Sequence, residues 1–209
     1  DIPALGIELS AHPQLKVASV FTHLAASEAA EHDNFTAQQI QLFETLYQDL
    51  AEKIGYAPMR HALNSSGISR FAAYQYEMVR LGIGLYGIDY HAPMAAQLRT
   101  VLTLRATISQ IKSVETGQTV GYGRKGVAMR NSRIATISIG YADGFLRAAG
   151  NGRYSVWING RLAPTIGNIC MDMSMIDITD IPEAKEGDVV EIFGENQPVS
   201  ALANCYQTI

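Results

Sequence analysis

The run Arg80-Leu81-Gly82-Ile83 combines residue types that can hold an anionic group. Arginine is a permanent cation, and the glycine after it removes the side chain that would keep an anion away from the backbone amides. Apolar residues on both sides, across residues 78–87, predict a buried strand that runs out into a loop. Half of a phosphate cradle is one interpretation of this run, and a glycine-rich strand end with a surface arginine is the other.

Polar residues also follow two other predicted strands in the first half of the chain. His23 comes directly after an apolar, β-branched run, and Asn64 and Ser65 end a second predicted strand. In a (β/α) barrel, the carboxyl ends of the parallel strands form the rim where ligands bind. Serine and asparagine side chains, with the amides after Gly82, suit a phosphate, and an imidazole can orient an aromatic ring. A structural histidine and an ordinary Asn-Ser turn are the alternatives at these positions.

An alternation of strands and helices is predicted to position these groups. Thr36 and Gln39 form a capping-box pattern that begins a long helix, and Gly55 ends it. Apolar residues recur at helical spacing between them, at Phe43, Leu46, Leu50 and Ile54. The remaining elements are strands at 16–22, 60–65 and 78–87 and a short helix at 71–76. This β-α-β-α-β order predicts parallel strands with helical crossovers.

The second half of the chain has a two-residue apolar period, which is typical of antiparallel sheets. The pair Asn159-Gly160 predicts a hairpin turn. Strands are expected at 100–114, 134–139, 155–159, 174–178 and 187–193. A β-barrel or a sandwich fits this series, and the boundary between the two halves is predicted near residues 91–97.

Composition and charge exclude several classes of function. The 209 residues are 47% hydrophobic, enough for a packed core, and the formal charge of -4 comes with scattered lysines and arginines. We therefore expect a small-molecule substrate, with neither nucleic acid nor a membrane surface as a partner. The sequence has no apolar stretch of membrane-span length, which favours a cytoplasmic location. Cys170 and Cys205 lack metal-ligand spacing, so no metal is expected and both thiols should be reduced.

Six motifs occur in order along nearly the whole chain. They are residues 20–25 (VFTHLA), 64–66 (NSS), 78–87 (MVRLGIGLYG), 120–123 (VGYG), 139–145 (IGYADGF) and 167–173 (GNICMDM). In this order they resemble the central and C-terminal parts of alanine racemases, a family of enzymes that use pyridoxal 5'-phosphate. The resemblance implies an α/β portion, residues 1–95, that is the C-terminal portion of a (β/α)8 TIM-type barrel and binds the cofactor. It implies that residues 96–209 are the all-β, barrel-like C-terminal domain of that family.

The resemblance gives some matched residues a role in a two-base reaction. Pyridoxal phosphate acts as an electron sink, so the α-hydrogen of alanine can leave as a proton and return on either face. Tyr122 matches the catalytic tyrosine that removes the proton from L-alanine, reaching the cofactor of the other subunit in a homodimer. A free phenol, with a pKa of about 10, is a weak base at neutral pH, so its surroundings must assist it. His23 matches a histidine near the cofactor and is the candidate for this assistance.

Arg80 matches an arginine that faces the pyridine nitrogen of the cofactor. A guanidinium donates hydrogen bonds and keeps its protons, so the ring nitrogen is expected to stay unprotonated. The weakened electron sink then favours return of the proton over side reactions. The positions implied to surround the cofactor phosphate are Asn64, Ser65, Gly82 and Ile83. The positions implied to line the substrate entrance and the carboxylate end are Tyr141 and Met171.

The chain also departs from the family pattern. Nothing in it resembles the segments that carry the family's Schiff-base lysine, the arginine that binds the substrate carboxylate, or the late tyrosine that touches phosphate. Asn168 stands where many members have arginine, which predicts an altered network at the entrance. We therefore expect a fragment of a longer protein, one that is inactive alone.

The parent protein is expected to be a cytoplasmic, homodimeric alanine racemase that interconverts L- and D-alanine and supplies D-alanine for cell-wall peptidoglycan. A broad-specificity amino-acid racemase and a pyridoxal-phosphate decarboxylase of the same fold are the enzymatic alternatives. A scaffold or regulatory module without the lysine is the non-enzymatic one. Tyr122 and the Cys170-Met171-Asp172 context favour a racemase, because decarboxylases of this fold would present a reactive cysteine motif.

Overall fold

The computed structural model describes residues 2–208, which form two compact units that divide between Arg99 and Thr100. The helices are α1 (Ile2–Ala11), α2 (Asp33–Ile54), α3 (Ser65–Arg70), α4 (Ala92–Ala95) and α5 (Val199–Tyr206). The strands are β1 (Ser19–Phe21), β2 (Met59–His61), β3 (Leu104–Val114), β4 (Thr119–Val120), β5 (Gly126–Val127), β6 (Ser132–Ile137), β7 (Ser155–Ile158), β8 (Arg161–Pro164), β9 (Ser174–Asp177) and β10 (Val189–Phe193).

Two parallel strands joined by a long helix organise the first unit. β1 and β2 pair in parallel, with Phe21 opposite His61. The 22-residue α2 connects them, and Gly55 ends it in the left-handed region at φ 76°. The buried cluster of this unit consists of Leu24, Ile40, Ala62 and Leu63. The predicted strand–helix–strand order and the end of the helix at Gly55 are confirmed.

The start of α2 differs from the capping-box prediction. The helix begins at Asp33, so Thr36 lies inside its first turn and is fully buried. The Gln39 side chain donates instead to Thr22 Oγ1 at 2.9 Å and to the His23 carbonyl at 2.7 Å. The capping-box prediction is therefore wrong, because contacts with the end of β1 take the side chain that the local pattern assigns to the helix start.

Residues 78–87 do not form the predicted third strand. The Glu77 carboxylate accepts a hydrogen bond from the Arg60 amide at 2.7 Å, where a neighbouring strand would offer a backbone carbonyl. Further along, the Arg80 amide donates to the Leu63 carbonyl at 2.9 Å. The segment therefore lies beside the end of β2 without building a regular ladder.

Short 3-10 turns replace parts of two predicted elements. Ala72–Tyr74 is a 3-10 turn in place of the helix predicted at 71–76. Ile83–Tyr86 is another, within the segment predicted as the third strand. The expected burial of that segment is also wrong, since the side chains of Met78 and Val79 are exposed.

A six-stranded antiparallel sheet forms the second unit, in the order β8-β7-β10-β3-β6-β9. A further bridge between Thr165 and Ile176 joins the segment after β8 to β9, so the sheet nearly closes on itself. Alternate side chains of the strands fill its interior, among them Ile108, Ile137, Val156, Ile158, Ile176, Val190 and Ile192. The apolar residues at every second position thus predicted the antiparallel sheet correctly. Of the two folds expected from that pattern, the structure fits a β-barrel better than a sandwich.

Two hairpins in this unit follow from their turn residues. Asn159 and Gly160 join β7 to β8 with φ of 48° and 82°, which confirms the predicted turn. β4 and β5 form a second hairpin, with Val120 opposite Gly126. The loop of this second hairpin carries Tyr122.

Candidate functional site

Four acceptor atoms hold the Arg80 guanidinium at the carboxyl ends of β1 and β2. Its Nη2 donates to the Thr22 carbonyl at 2.8 Å and to the Ala62 carbonyl at 3.1 Å. Its Nη1 donates to the His61 carbonyl at 3.0 Å and to His61 Nδ1 at 2.5 Å. Because the donors of a guanidinium lie in one fixed plane, these acceptors set both its position and its direction. Arg80 is half-buried, so the interpretation as a surface arginine does not apply.

His61 completes this arrangement, although it was not among the predicted site residues. Its ring stacks on Phe21, with centroids 5.1 Å apart and planes inclined by 10°. An imidazole whose Nδ1 accepts from Arg80 must carry its proton on Nε2, which lies 3.3 Å from Ser19 Oγ. Burial, together with the charge of Arg80, lowers the pKa of the His61 imidazole. His61 is therefore a neutral acceptor for Arg80.

The Ser65 hydroxyl gathers two backbone amides from the loop after Arg80. Gly82 N donates to Ser65 Oγ at 2.9 Å and Gly84 N donates to the same oxygen at 3.1 Å. The only side-chain or backbone atom near a Cβ built on Gly82 would be Ser65 Oγ, at 3.7 Å. Because the hydroxyl accepts from both amides, its own hydrogen remains as a donor to an anion. The structure thus places the Ser65 hydroxyl and the Gly82 amide together, and their contact with a phosphate stays a prediction.

The Asn64 side chain caps α3. Its Oδ1 accepts from Gly67 N at 2.9 Å and from Ser27 Oγ at 2.8 Å. These bonds orient the first turn of α3 and so place Ser65, the next residue along the chain. Ile83 begins the 3-10 turn directly after Gly82. A direct contact of Asn64 or Ile83 with a phosphate stays a prediction.

His23 lies beside Arg80, and its role near a cofactor stays a prediction. Its Nδ1 is 3.4 Å from Arg80 Nη2, and its side chain is exposed. Gln39 fixes the backbone here by donating to the His23 carbonyl and accepting from the Ala25 amide at 3.2 Å. The exposed imidazole of His23 therefore stands on a backbone that Gln39 holds in place.

A groove of about 1000 Å³ in the second unit brings together the other predicted residues. Tyr122, Tyr141 and Met171 all line it. The Tyr122 side chain is 75% exposed, so its phenol is free to contact a ligand. The Arg147 guanidinium carbon lies 4.5 Å from the centroid of the Tyr141 ring, which gives the groove a cation-π pair.

A close crossing of two backbone segments builds the wall of this groove. Tyr141 N donates to the Cys170 carbonyl at 2.9 Å, and Ala142 N donates to the Met171 carbonyl at 2.9 Å. A Cβ at Gly140 would overlap both of these carbonyls. Glycine is therefore required at position 140 for Tyr141 and Met171 to face the same groove.

The predicted residues fall into two sets, one in each unit. His23, Arg80, Ser65 and Gly82 lie in residues 1–99, and the other set lies wholly in residues 100–209. His61 and Gly84 were not among the residues predicted from the sequence. Gly84 had a signal, because it is the second glycine of the Gly-Ile-Gly run, whereas a histidine in a strand carries none that separates it from a structural residue.

Two kinds of feature are absent from residues 2–208. No group of three or more histidine, cysteine, aspartate and glutamate side chains in that range is arranged to hold a metal ion. None of the helices described there combines the length and the apolar character needed to cross a bilayer.

Comparison with known sequences gives the family of the chain. A profile of the N-terminal domain of alanine racemase matches residues 1–90, and a profile of the C-terminal domain matches residues 101–209. The chain belongs to the alanine racemase family. An alanine racemase of Sorangium cellulosum is 36% identical over 195 residues, which are 93% of this chain and 51% of that protein. Alanine racemase 1 of Clostridium acetobutylicum is 38% identical over 186 residues, or 86% of this chain and 47% of that protein.

Solved structures of alanine racemases have the same fold. The crystal structure of the Bartonella henselae alanine racemase with covalently bound pyridoxal phosphate matches with a TM-score of 0.85 at 30% identity. That match covers 100% of this chain and 56% of that one. The Clostridium difficile alanine racemase in complex with cycloserine matches with a TM-score of 0.88 at 31% identity, over 99% of this chain and 56% of that one. The chain thus spans about half the length of the alanine racemases it matches.

Proposed function

We propose that this chain is part of a pyridoxal-phosphate-dependent alanine racemase that interconverts L- and D-alanine. The observation that carries the proposal is the Arg80 guanidinium, held by three carbonyls and a neutral imidazole at the strand ends. Such a group suits a neutral aromatic nitrogen, because it can donate a hydrogen bond but does not give up its proton. Membership of the alanine racemase family supports the same function.

The residues present fit pyridoxal phosphate at both ends of the molecule. Ser65 Oγ accepts from the amides of Gly82 at 2.9 Å and Gly84 at 3.1 Å, so its hydroxyl hydrogen is left to donate to a phosphate dianion. A Cβ at Gly84 would lie 3.5 Å from Ser65 Oγ, so this glycine also lies beside the hydroxyl. When bound, pyridoxal phosphate supplies an electron sink that makes the α-hydrogen of an amino acid acidic. Arg80 then holds the ring nitrogen without protonating it.

We propose that Tyr122 is the base for L-alanine. It presents an exposed phenol from a hairpin loop into a groove that also contains Tyr141 and Met171. A side chain that is 75% exposed within this chain has room to meet a ligand or another subunit. We propose that it does so in a homodimer, near His23 and the ring of the cofactor. Tyr141 and Met171 would then contact the amino acid at the entrance.

The state of Cys170 favours a racemase over a decarboxylase that uses a reactive cysteine. Burial raises the pKa of the Cys170 thiol, which leaves it mostly protonated and a poor nucleophile at neutral pH. Its Sγ lies 3.8 Å from the Asn168 carbonyl, to which the thiol donates. This cysteine is therefore part of the groove wall rather than an acid or a nucleophile.

The remaining elements of the proposal concern the whole protein. We propose a cytoplasmic racemase that supplies D-alanine for peptidoglycan, with the boundary between its two domains near residue 95. We further propose that the lysine that holds the cofactor lies outside this sequence and that the chain alone is inactive. A scaffold or regulatory module without that lysine is the alternative that the experiment below must exclude.

Replacing Tyr122 in the protein that contains this chain tests the function. In the holoenzyme, we expect Tyr122→Phe to lower turnover from L-alanine by about 100-fold or more, because a positioned base contributes that much. Cofactor absorbance should persist, since Tyr122 is not needed to hold the cofactor. Tyr90→Phe, at another exposed tyrosine, is the control and should keep full turnover. Full turnover by Tyr122→Phe, or no racemisation by the unsubstituted protein, would refute the proposal.

A further inference from the structure

We propose that Asn168 is a positioning residue that fixes the backbone of Tyr122, an inference that rests on the role proposed above for Tyr122. Asn168 Nδ2 donates to the Tyr122 carbonyl at 3.0 Å. Asn151 Nδ2 donates to Asn168 Oδ1 at 3.0 Å. Both bonds require the same orientation of the Asn168 side-chain amide, because its oxygen must face the Asn151 donor and its nitrogen must face the Tyr122 acceptor.

The loop that carries Tyr122 needs such a restraint. Gly121, Gly123 and Arg124 all lie in the left-handed region, with φ of 79°, 67° and 54°. Glycines on both sides of Tyr122 give the loop many accessible conformations. The exposed phenol ring is not held by packing. The position of the phenol oxygen therefore depends on backbone contacts, and Asn168 makes one of them directly to the carbonyl of residue 122.

Glycines bring the two segments close enough for this bond. A Cβ at Gly121 would lie 3.4 Å from Asn168 N, and a Cβ at Gly167 would lie 2.6 Å from the Val120 carbonyl. On the other side of the hairpin, a Cβ at Gly126 would lie 2.6 Å from Gly167 N. The hairpin and the segment at 167–168 thus touch backbone to backbone. The short asparagine side chain can then reach the carbonyl of residue 122.

The backbone of Asn151, the first residue of this hydrogen-bonded series, is itself held in place. Its backbone N donates to the Gly167 carbonyl at 2.9 Å, and its φ is 58°. Asparagine is one of the few residues with a side chain that adopts this conformation readily. Asn151 thus donates to Asn168, and Asn168 donates to the Tyr122 carbonyl. Replacing the donor amide of either asparagine with an acceptor would break this series of hydrogen bonds.

Asn168→Asp in the holoenzyme of the protein that contains this chain tests the inference. Aspartate has the same shape and still accepts from Asn151, but it sets an oxygen against the Tyr122 carbonyl. We expect turnover from L-alanine to fall by about 10-fold, the effect of a small displacement of a catalytic group. The α-deuterium isotope effect should rise for L-alanine, because Tyr122 removes that proton, and should not rise for D-alanine, from which the other base removes the proton and to which Tyr122 only returns one. A residue that only stabilised the fold would not produce this asymmetry.

Hydrogen exchange gives a second readout that does not depend on catalysis. Amides of residues 119–127 should exchange faster in Asn168→Asp, with unchanged exchange in the strands of the sheet. Asn131→Asp is the matched control, since Asn131 Oδ1 is an acceptor for Thr116 and the carboxylate keeps that role. It should leave exchange and turnover unchanged. Asn151→Asp should reproduce the Asn168→Asp pattern, because it turns the Asn168 amide over.

The outcomes separate the two ideas. If Tyr122→Phe abolishes turnover from L-alanine while Asn168→Asp and Asn151→Asp change neither the isotope effect nor exchange at 119–127, the positioning role is wrong and the proposed function stands. Faster exchange throughout the second unit in both asparagine variants would also overturn it, since that result indicates general destabilisation. If Tyr122→Phe retains turnover, both proposals fail.

Discussion

Protonation of His61 would remove one of the four acceptors that hold Arg80. With a proton on Nδ1, the imidazole would point an N–H at Arg80 Nη1, which lies 2.5 Å away, and would add a second cation in a buried place. Burial and the Arg80 charge lower the pKa of His61 for this reason. The folded protein thus binds fewer protons at this site than the unfolded chain does in mild acid. The stabilisation is present above the unfolded pKa, about 6.5, and is lost as the pH falls below it.

We expect the melting temperature to decrease as the pH is lowered from about 7 to about 5, through the range where a free histidine titrates. His61→Gln should flatten this dependence, because the glutamine amide offers an acceptor to Arg80 without titrating. Calorimetry of both proteins over this pH range measures the difference. His32→Gln is the control, since the exposed His32 side chain lies just before α2 and does not cap it, so this change should leave the slope unchanged. Equal slopes for the wild type and His61→Gln would contradict the argument.

Residue types and spacing pointed to Arg80, Ser65 and Gly82, and the family resemblance pointed to Tyr122, but neither could assign His61. The charge of arginine and the freedom of glycine are properties of single residues, so they can be seen in the sequence. The importance of His61 comes from contacts with residues 19 and 40 positions away, Arg80 and Phe21. Such contacts exist only after β1 and β2 pair, and no local pattern records them.

The backbone of residues 170–172 passes so close to Gly140 that no side chain fits there, although position 140 does not need the left-handed conformation of a turn. Gly140 has φ of -147°, which any residue adopts, yet a Cβ there would overlap the carbonyls of Cys170 and Met171. Gly144 is the reverse case, with φ of 90° and nothing within 4 Å of an added Cβ. A side chain at position 140 would therefore be disfavoured by steric overlap, and one at position 144 by backbone strain.

We expect Gly140→Ala to lower the free energy of unfolding by at least about 3 kcal/mol, because the overlapping atoms are backbone and cannot move aside separately. Gly144→Ala should cost about 1 kcal/mol, the strain of a left-handed alanine. Urea denaturation of both variants measures the two values. A larger loss at position 144 than at 140 would show that the two segments can separate at little cost.

Helices and strands with a strong apolar periodicity were predicted correctly from the sequence. The prediction was wrong where side-chain hydrogen bonds take the place of backbone pairing between strands. α2 and the hairpin at Asn159-Gly160 follow from spacing and turn residues. The apolar run at 78–87 has the composition of a strand, but the Glu77 carboxylate takes the Arg60 amide, and the pair continues with Arg60 Nη2 2.7 Å from Glu77 Oε1. These bonds from Arg60 lower the pKa of Glu77 to about 2, so the carboxylate stays charged across the physiological range.

The two units of the molecule differ in how much apolar surface they bury. A large continuous cluster fills the sheet of the second unit, from Ala106 to Leu202. The first unit has a cluster of four buried residues and exposes large side chains, among them Ile7, Phe21, Leu42, Leu85 and Tyr86. Since burial of apolar surface is the main source of stability, the second unit should be the more independent of the two.

We expect residues 100–209, expressed alone, to fold and to melt cooperatively. Residues 1–99 alone should show weak, non-cooperative melting, because the six buried apolar side chains described in this unit do not offset the entropy of ordering so long a segment. Circular dichroism during heating, with amide dispersion in NMR spectra, distinguishes the two. A sharp transition for residues 1–99 and none for 100–209 would reverse the assignment of stability.

The bridge from Thr165 to Ile176 has a consequence for the behaviour of the protein in concentrated solution. Sheets that end in open strands offer free N–H and C=O groups to other molecules, and this is a common start of fibre formation. In the second unit, the first and last strands of the series are tied to each other by this bridge, and the Ile166 amide donates to the Met175 carbonyl at 2.9 Å beside it. Separation of residues 165–166 from residues 175–176 would expose the edges of the sheet without unfolding its core. We therefore expect this local opening to be the step that allows molecules to aggregate by pairing of edge strands.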